Sequence, residues 1–123
     1  MVADEARVQG LVCLGYPFHP PGQPEKTRTA HLESLATPAL ILQGTRDPFG
    51  QRGEVEAYRL SGRIRLHWVE DGDHSFKPRV RSGRTLEQNL EESMVAILDF
   101  AREIEAQRQR GEGPRVNPSS VTP

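Results

Sequence analysis

Residues 40–50 read LILQGTRDPFG. The apolar run Ala39 to Gln43 is too short for an ordinary helix, and Gly44, Pro48 and Gly50 close it. A short continuous apolar run bounded by turn residues predicts a strand buried on both faces, as in a parallel sheet. Asp47 then stands in the turn just past the strand's carboxyl end.

The flanking segments repeat the pattern. Upstream, Leu11, Val12, Cys13 and Leu14 form another apolar run between glycines, ended by Pro17. It too predicts a strand buried on both faces. From His19 to Pro38, the prolines at 20, 21 and 24 and Gly22 forbid regular structure, with one helical turn expected at His31 to Leu35. A connection this long is uncommon in a compact domain and is often functional. Downstream, Gln51 to Leu60 has moderate helix propensity, with Val55, Tyr58 and Leu60 facing inward. Ile64 to Val69 (IRLHWV) alternates as a strand does at a sheet edge.

Thr85 to Gln107 predicts a long helix. Leu86, Leu90, Met94, Ile97, Leu98, Ala101 and Ile104 recur at three- and four-residue steps and read as its core-facing stripe. Thr85 is a suitable N-cap, Gln88 completes a capping box, and Gly111 stops the helix. The order is strand, long loop, strand, short helix, strand, long helix, an α/β chain of about three parallel strands. The domain is expected at 1–107 and a disordered tail at 108–123.

In an open parallel sheet, chemistry gathers beyond the carboxyl ends of the strands. Asp47 follows the second strand, and His74 follows the third, in DGDHSF. One βαβ step separates them, so adjacent parallel strands bring both to the same sheet edge. There a carboxylate can hold an imidazole Nδ1–H, fix the tautomer and stabilise the imidazolium. Asp71, Gly72 and Asp73 read as turn formers around His74.

Composition narrows the classes. The chain has 123 residues, enough for one domain, with Lys+Arg 16 against Asp+Glu 17 and a net charge of -1. That balance gives no reason to expect binding to nucleic acid or to a membrane surface. Met1 to Arg7 carries charges and no apolar core, unlike a secretory signal, and no run is long enough to span a bilayer. A cytoplasmic location is expected. The one cysteine, Cys13, excludes an internal disulfide and a multi-cysteine zinc site, and mid-strand it reads as a buried, unreactive thiol. His19, His31 and His67 lack metal-ligand spacing. The basic stretch Lys77, Arg79, Arg81 and Arg84 reads as a solvated loop.

The stretches GLVCLGYPFHPPG (10–22), LILQGTRDPFG (40–50) and DGDHSFKPR (71–79) resemble the C-terminal half of an α/β-hydrolase. The resemblance is closest to the dienelactone-hydrolase-like group, and within it to hydrolases related to the testis-expressed and histone-acetyltransferase-complex hydrolase-like domains. It implies a partial α/β-hydrolase fold, with this chain's strands corresponding to the sixth, seventh and eighth of the parent sheet. It makes Asp47 the acid and His74 the base of a Ser-His-Asp triad cleaving an ester or acyl substrate, without a cofactor. The loop carrying Tyr16 and His19, together with Phe49, is expected to line the substrate pocket.

The chain departs from the family in one respect. None of its serines sits in a G-x-S-x-G turn, the family's nucleophile elbow. The elbow and the N-terminal strands are expected to be missing, MVADEA to be the end of the helix after the elbow, and Met1 to be an internal methionine. The chain alone is then expected to be inactive. A second reading is a non-catalytic interaction module or pseudoenzyme remnant that dimerises or docks through its unpaired strand edge.

Overall fold

The structure, a computed structural model, describes residues 9–111. The expected helix end at MVADEA and residues 112–123 of the expected tail lie outside the described residues. Three strands, β1 (Leu11–Leu14), β2 (Ala39–Gly44) and β3 (Ile64–Val69), form one sheet in the order β1-β2-β3. Both pairings are parallel, with Cys13 opposite Ile41 and Ile41 opposite Leu66. Helices α1 (Arg52–Val55) and α2 (Leu86–Gln109) and two 3-10 turns, Ala30–Leu32 and Val80–Ser82, complete the elements among the described residues. This is the α/β arrangement that the sequence predicts.

The alternation of side chains along β2 divides the core. Ile41 faces a cluster with Tyr16, Phe18, Leu32 and Val55, against which Cys13, Leu66 and Trp68 pack. Leu40 and Leu42 face the other way, onto Val69, Phe76 and Phe100, with Ala96, Ile97 and Ile104 of α2. Every β2 residue is buried, which explains why its sequence is apolar without alternation.

The first strand differs from expectation. Val12 is 42% and Leu14 59% exposed, so β1 is covered on one face only. The physical reason is the placement of α2. It lies over β2 and β3, which leaves the same face of β1 open.

The two helices differ as well. One helical turn, Arg52–Val55, replaces the longer helix expected through Leu60. Val55 is buried, and Tyr58 and Leu60 still pack inward. Beyond them Ser61 donates its N–H to Leu32 O and its hydroxyl to Leu35 O, which turns the chain toward β3. In α2 the N-terminus is as predicted: Thr85 Oγ1 accepts from Gln88 N and Gln88 Oε1 accepts from Thr85 N. The helix runs on to Gln109, and Gly111 follows at φ 80.

Its buried face, however, is not the whole predicted stripe. Asn89, Ser93 and Phe100 are buried, and Ile97 and Ile104 pack beside them, while Leu86, Leu90, Met94 and Leu98 are exposed. Asn89 sets this rotation. Its Nδ2 donates to Glu70 O at 3.1 Å and to Phe76 O at 2.9 Å. Turning the leucines inward would strip both carbonyls of that donor.

Candidate active site

Asp47 and His74 meet as the sheet topology requires. The end of β2 leads into a tight turn in which Asp47 N donates to Gly44 O and Gly50 N to Asp47 O. Asp47 is fully buried. Its Oδ1 accepts from Phe49 N at 2.8 Å, which fixes the carboxylate plane. Its Oδ2 lies 2.8 Å from His74 Nδ1. A carboxylate only accepts, so Nδ1 carries the proton and the neutral ring keeps its free lone pair on Nε2. The His74 side chain is 42% exposed.

The imidazole is held from two further directions. Phe49 lies against it with ring centroids 4.5 Å apart. Gly15, at φ 79, is so close that a Cβ there would stand 3.0 Å from His74 Cε1. The two loops themselves touch backbone to backbone, since a Cβ on Gly44 would fall 2.2 Å from Gly72 O. Glycine at 44 is therefore a condition for bringing acid and base within one hydrogen bond.

Gln43 joins the same assembly from below. It is fully buried. Its Oε1 accepts from Tyr16 N at 2.8 Å, and its Nε2 donates to Tyr16 O and to Gly50 O. One amide thus ties the loop after β1 to the Asp47 turn. Sequence reasoning missed this residue. The signal was present: a glutamine inside an apolar, two-face-buried strand must find partners for its amide.

Of the three residues expected to line a pocket, the structure brings Phe49 alone against His74. Tyr16 is buried, and its hydroxyl meets Arg28 O and His31 Nε2. His19 is 3% exposed, with Nδ1 on Pro20 O at 2.8 Å and Nε2 on Glu54 Oε1 at 2.9 Å. Both partners only accept, so the two bonds are made together when both ring nitrogens carry protons, and the site favours the imidazolium form. The Pro20 carbonyl first, and then the Glu54 carboxylate, raise its pKa above the ordinary value. Committed in this way, Tyr16 and His19 brace the loop through packing and polar bonds.

The remaining titratable groups are placed as follows. Burial raises the Cys13 thiol, in keeping with an unreactive side chain. Lys77, Arg79 and Arg81 of the basic stretch are exposed, as the solvated-loop reading expects, and two of its arginines are also paired. Arg79 binds the Asp71 carboxylate, and Arg84 binds Asn89 Oδ1 and Glu92. The Arg79 guanidinium and backbone N–H hold Asp71 well below the usual carboxylate range. Asp73 closes the His74 turn by accepting from Ser75 N and Lys77 N, the turn-forming role read from the sequence.

Among the described residues, no three His, Cys, Asp or Glu side chains converge to hold a metal ion, and no helix is long and apolar enough to cross a membrane. A family model described as an alpha/beta hydrolase domain matches residues 1–102. No solved structure matches the chain.

Proposed function

Because the chain belongs to the alpha/beta hydrolase domain family, we propose that it carries the acid and base of a serine-type ester- or acyl-cleaving hydrolase, Asp47 and His74. The observation that supports this most is the 2.8 Å bond from His74 Nδ1 to a carboxylate that is itself fully buried. Such a carboxylate keeps the imidazole in the tautomer a general base needs.

In the proposed reaction His74 Nε2 takes the proton of a serine hydroxyl as its oxygen bonds to the substrate carbonyl carbon. The Asp47 carboxylate stabilises the imidazolium so formed. His74 returns the proton to the leaving oxygen or nitrogen as that bond breaks, and water then releases the acyl group by the same steps in turn. The 123 residues contain no G-x-S-x-G, so the serine comes from polypeptide outside these residues. Among the described residues β1 pairs with β2 alone, so its other edge is open to a further strand, and its exposed Val12 and Leu14 leave an apolar face beside that edge. Self-association through the same edge is the partner mode proposed for the chain by itself.

Within the family, the motifs at 40–50 and 71–79 favour the dienelactone-hydrolase-like group. The reading places the protein in the cytoplasm with a small-molecule substrate and calls for no cofactor and no nucleic acid.

The test compares two proteins on a small activated ester: the 123-residue chain, and the product of its reading frame with the codons upstream of Met1 included. The shorter chain is expected to show no turnover above background. The longer is expected to hydrolyse the ester through a serine in G-x-S-x-G, with Asp47→Asn lowering kcat by about 10⁴-fold. Turnover of the longer product that survives His74→Ala would overturn the assignment, whereas a burst from the shorter chain that His74→Ala removes would overturn only the expectation that the nucleophile lies outside these residues.

A further inference from the structure

We propose that Arg46 is a positioning residue for the Asp47–His74 pair, acting by spanning the neck of the loop that carries His74. This rests on the reading of that pair as acid and base.

The loop begins at Asp71, just past β3, and ends at Arg79, just before the 3-10 turn Val80–Ser82. Its base is closed by the Asp71 carboxylate, which accepts from Arg79 N at 2.8 Å and from Arg79 Nε at 3.1 Å. Asp71 itself sits at φ 58, a left-handed conformation that Asp tolerates better than most residues. Nothing within that closure relates the loop to Asp47. The relation is supplied from the turn after β2. Thr45 Oγ1 accepts from Asp71 N at 2.9 Å, and Arg46 N donates to Gly72 O at 3.0 Å.

The Arg46 side chain then crosses the loop. Its Nε donates to Asp71 O at 3.0 Å and stands 3.4 Å from Asp71 Oδ1. Its Nη2 donates to Lys77 O at 3.4 Å. Asp71 and Lys77 lie on opposite sides of His74 in the chain, so one planar guanidinium holds both legs of the loop. Arg46 is also the covalent neighbour of Asp47. A shift of His74 away from Asp47 must therefore break bonds to the residue next to the acid. A lysine would keep the charge beside Asp71 but has no fork to reach both carbonyls.

The experiment reads the proton on His74 Nδ1 by NMR in the 123-residue chain, where a bond to a buried carboxylate shields it from exchange and moves it far downfield. Wild type is expected to show this resonance and Asp47→Asn to lose it. Arg46→Met and Arg46→Lys are expected to lose it too, at temperatures where their circular dichroism matches wild type. Should Arg46→Met not fold, Arg46→Lys carries the test. A resonance that persists in folded Arg46→Met or Arg46→Lys, whatever their melting temperatures, overturns the positioning role, because a merely stabilising arginine would leave it unmoved. Absence of the resonance from wild type would instead overturn the reading of the pair itself.

Discussion

Gly15 and His74 are in contact: a side chain on Gly15 would meet the imidazole 3.0 Å from Cε1 and 3.2 Å from Nδ1. Gly15 also stands at φ 79 and donates its N–H to Leu42 O. Its backbone shape and the open space above it are thus both fixed by the sheet, and the ring of the base occupies that space.

Gly15→Ala is therefore expected to do two things at once. The left-handed conformation costs about 1–2 kcal/mol for a residue with a Cβ, and the new methyl pushes the ring off Asp47. Urea unfolding should show the stability loss, and the downfield Nδ1 proton should vanish. A folded Gly15→Ala protein that keeps that resonance would contradict the packing described.

Gln43→Leu preserves volume but leaves the Tyr16 N–H and Gly50 O without the amide, while Tyr16 O keeps the Phe18 N–H. Each buried group left unpaired costs about 1–3 kcal/mol, so a loss of at least about 2 kcal/mol is expected from chemical denaturation. A change within about 0.5 kcal/mol, the range of ordinary surface substitutions, would mean that water or relaxation satisfies these groups.

Stability is expected to fall on both sides of a plateau for identifiable reasons. Arg79 lowers the Asp71 pKa, so that group stabilises the fold above its ordinary value of about 3.9. The contribution is lost as pH falls through the lowered folded value. The His19 pKa is raised, so its contribution is complete below about 6.5 and is lost as pH rises through its folded value. Thermal melts across pH should show Asp71→Asn flattening the acid limb and Glu54→Gln flattening the alkaline one. The latter change keeps the side-chain acceptor for Gln51 N and the Pro20 carbonyl on His19, so a limb that it leaves unaltered would show that the Glu54 charge is not what raises the His19 pKa.

The two faces of α2 should respond very differently to substitution. Leu98, 46% exposed, should tolerate Gln within about 0.5 kcal/mol. Phe100, 4% exposed and packed on Leu40, Leu42 and Val69, should cost about 3–5 kcal/mol as Ala. Equal losses at the two positions would place the helix in a different rotation.

The sequence by itself determined the order and direction of the elements and the meeting of Asp47 with His74. Parallel strands joined by one crossover deliver residues just past their carboxyl ends to a common edge, so strand ends and turn residues were sufficient to pair the two. The caps of α2 were legible for a similar reason: Thr85, Gln88 and Gly111 act through local backbone geometry.

Only the tertiary structure decided which surfaces were covered. Apolar residues occupy so much of the α2 circumference that periodicity could not choose between Leu90, Met94 and Leu98 on one side and Phe100, Ile97 and Ile104 on another. A polar residue, Asn89, settled the rotation by donating to Glu70 O and Phe76 O. In the same way Val12 and Leu14 read as buried until the position of α2 left them open. Tyr16 and His19, next to a promising strand end, proved to be engaged by Arg28, His31, Pro20 and Glu54. Which faces of α2 and β1 are covered depends on neighbours distant in the chain, and no local pattern of residues encodes those neighbours.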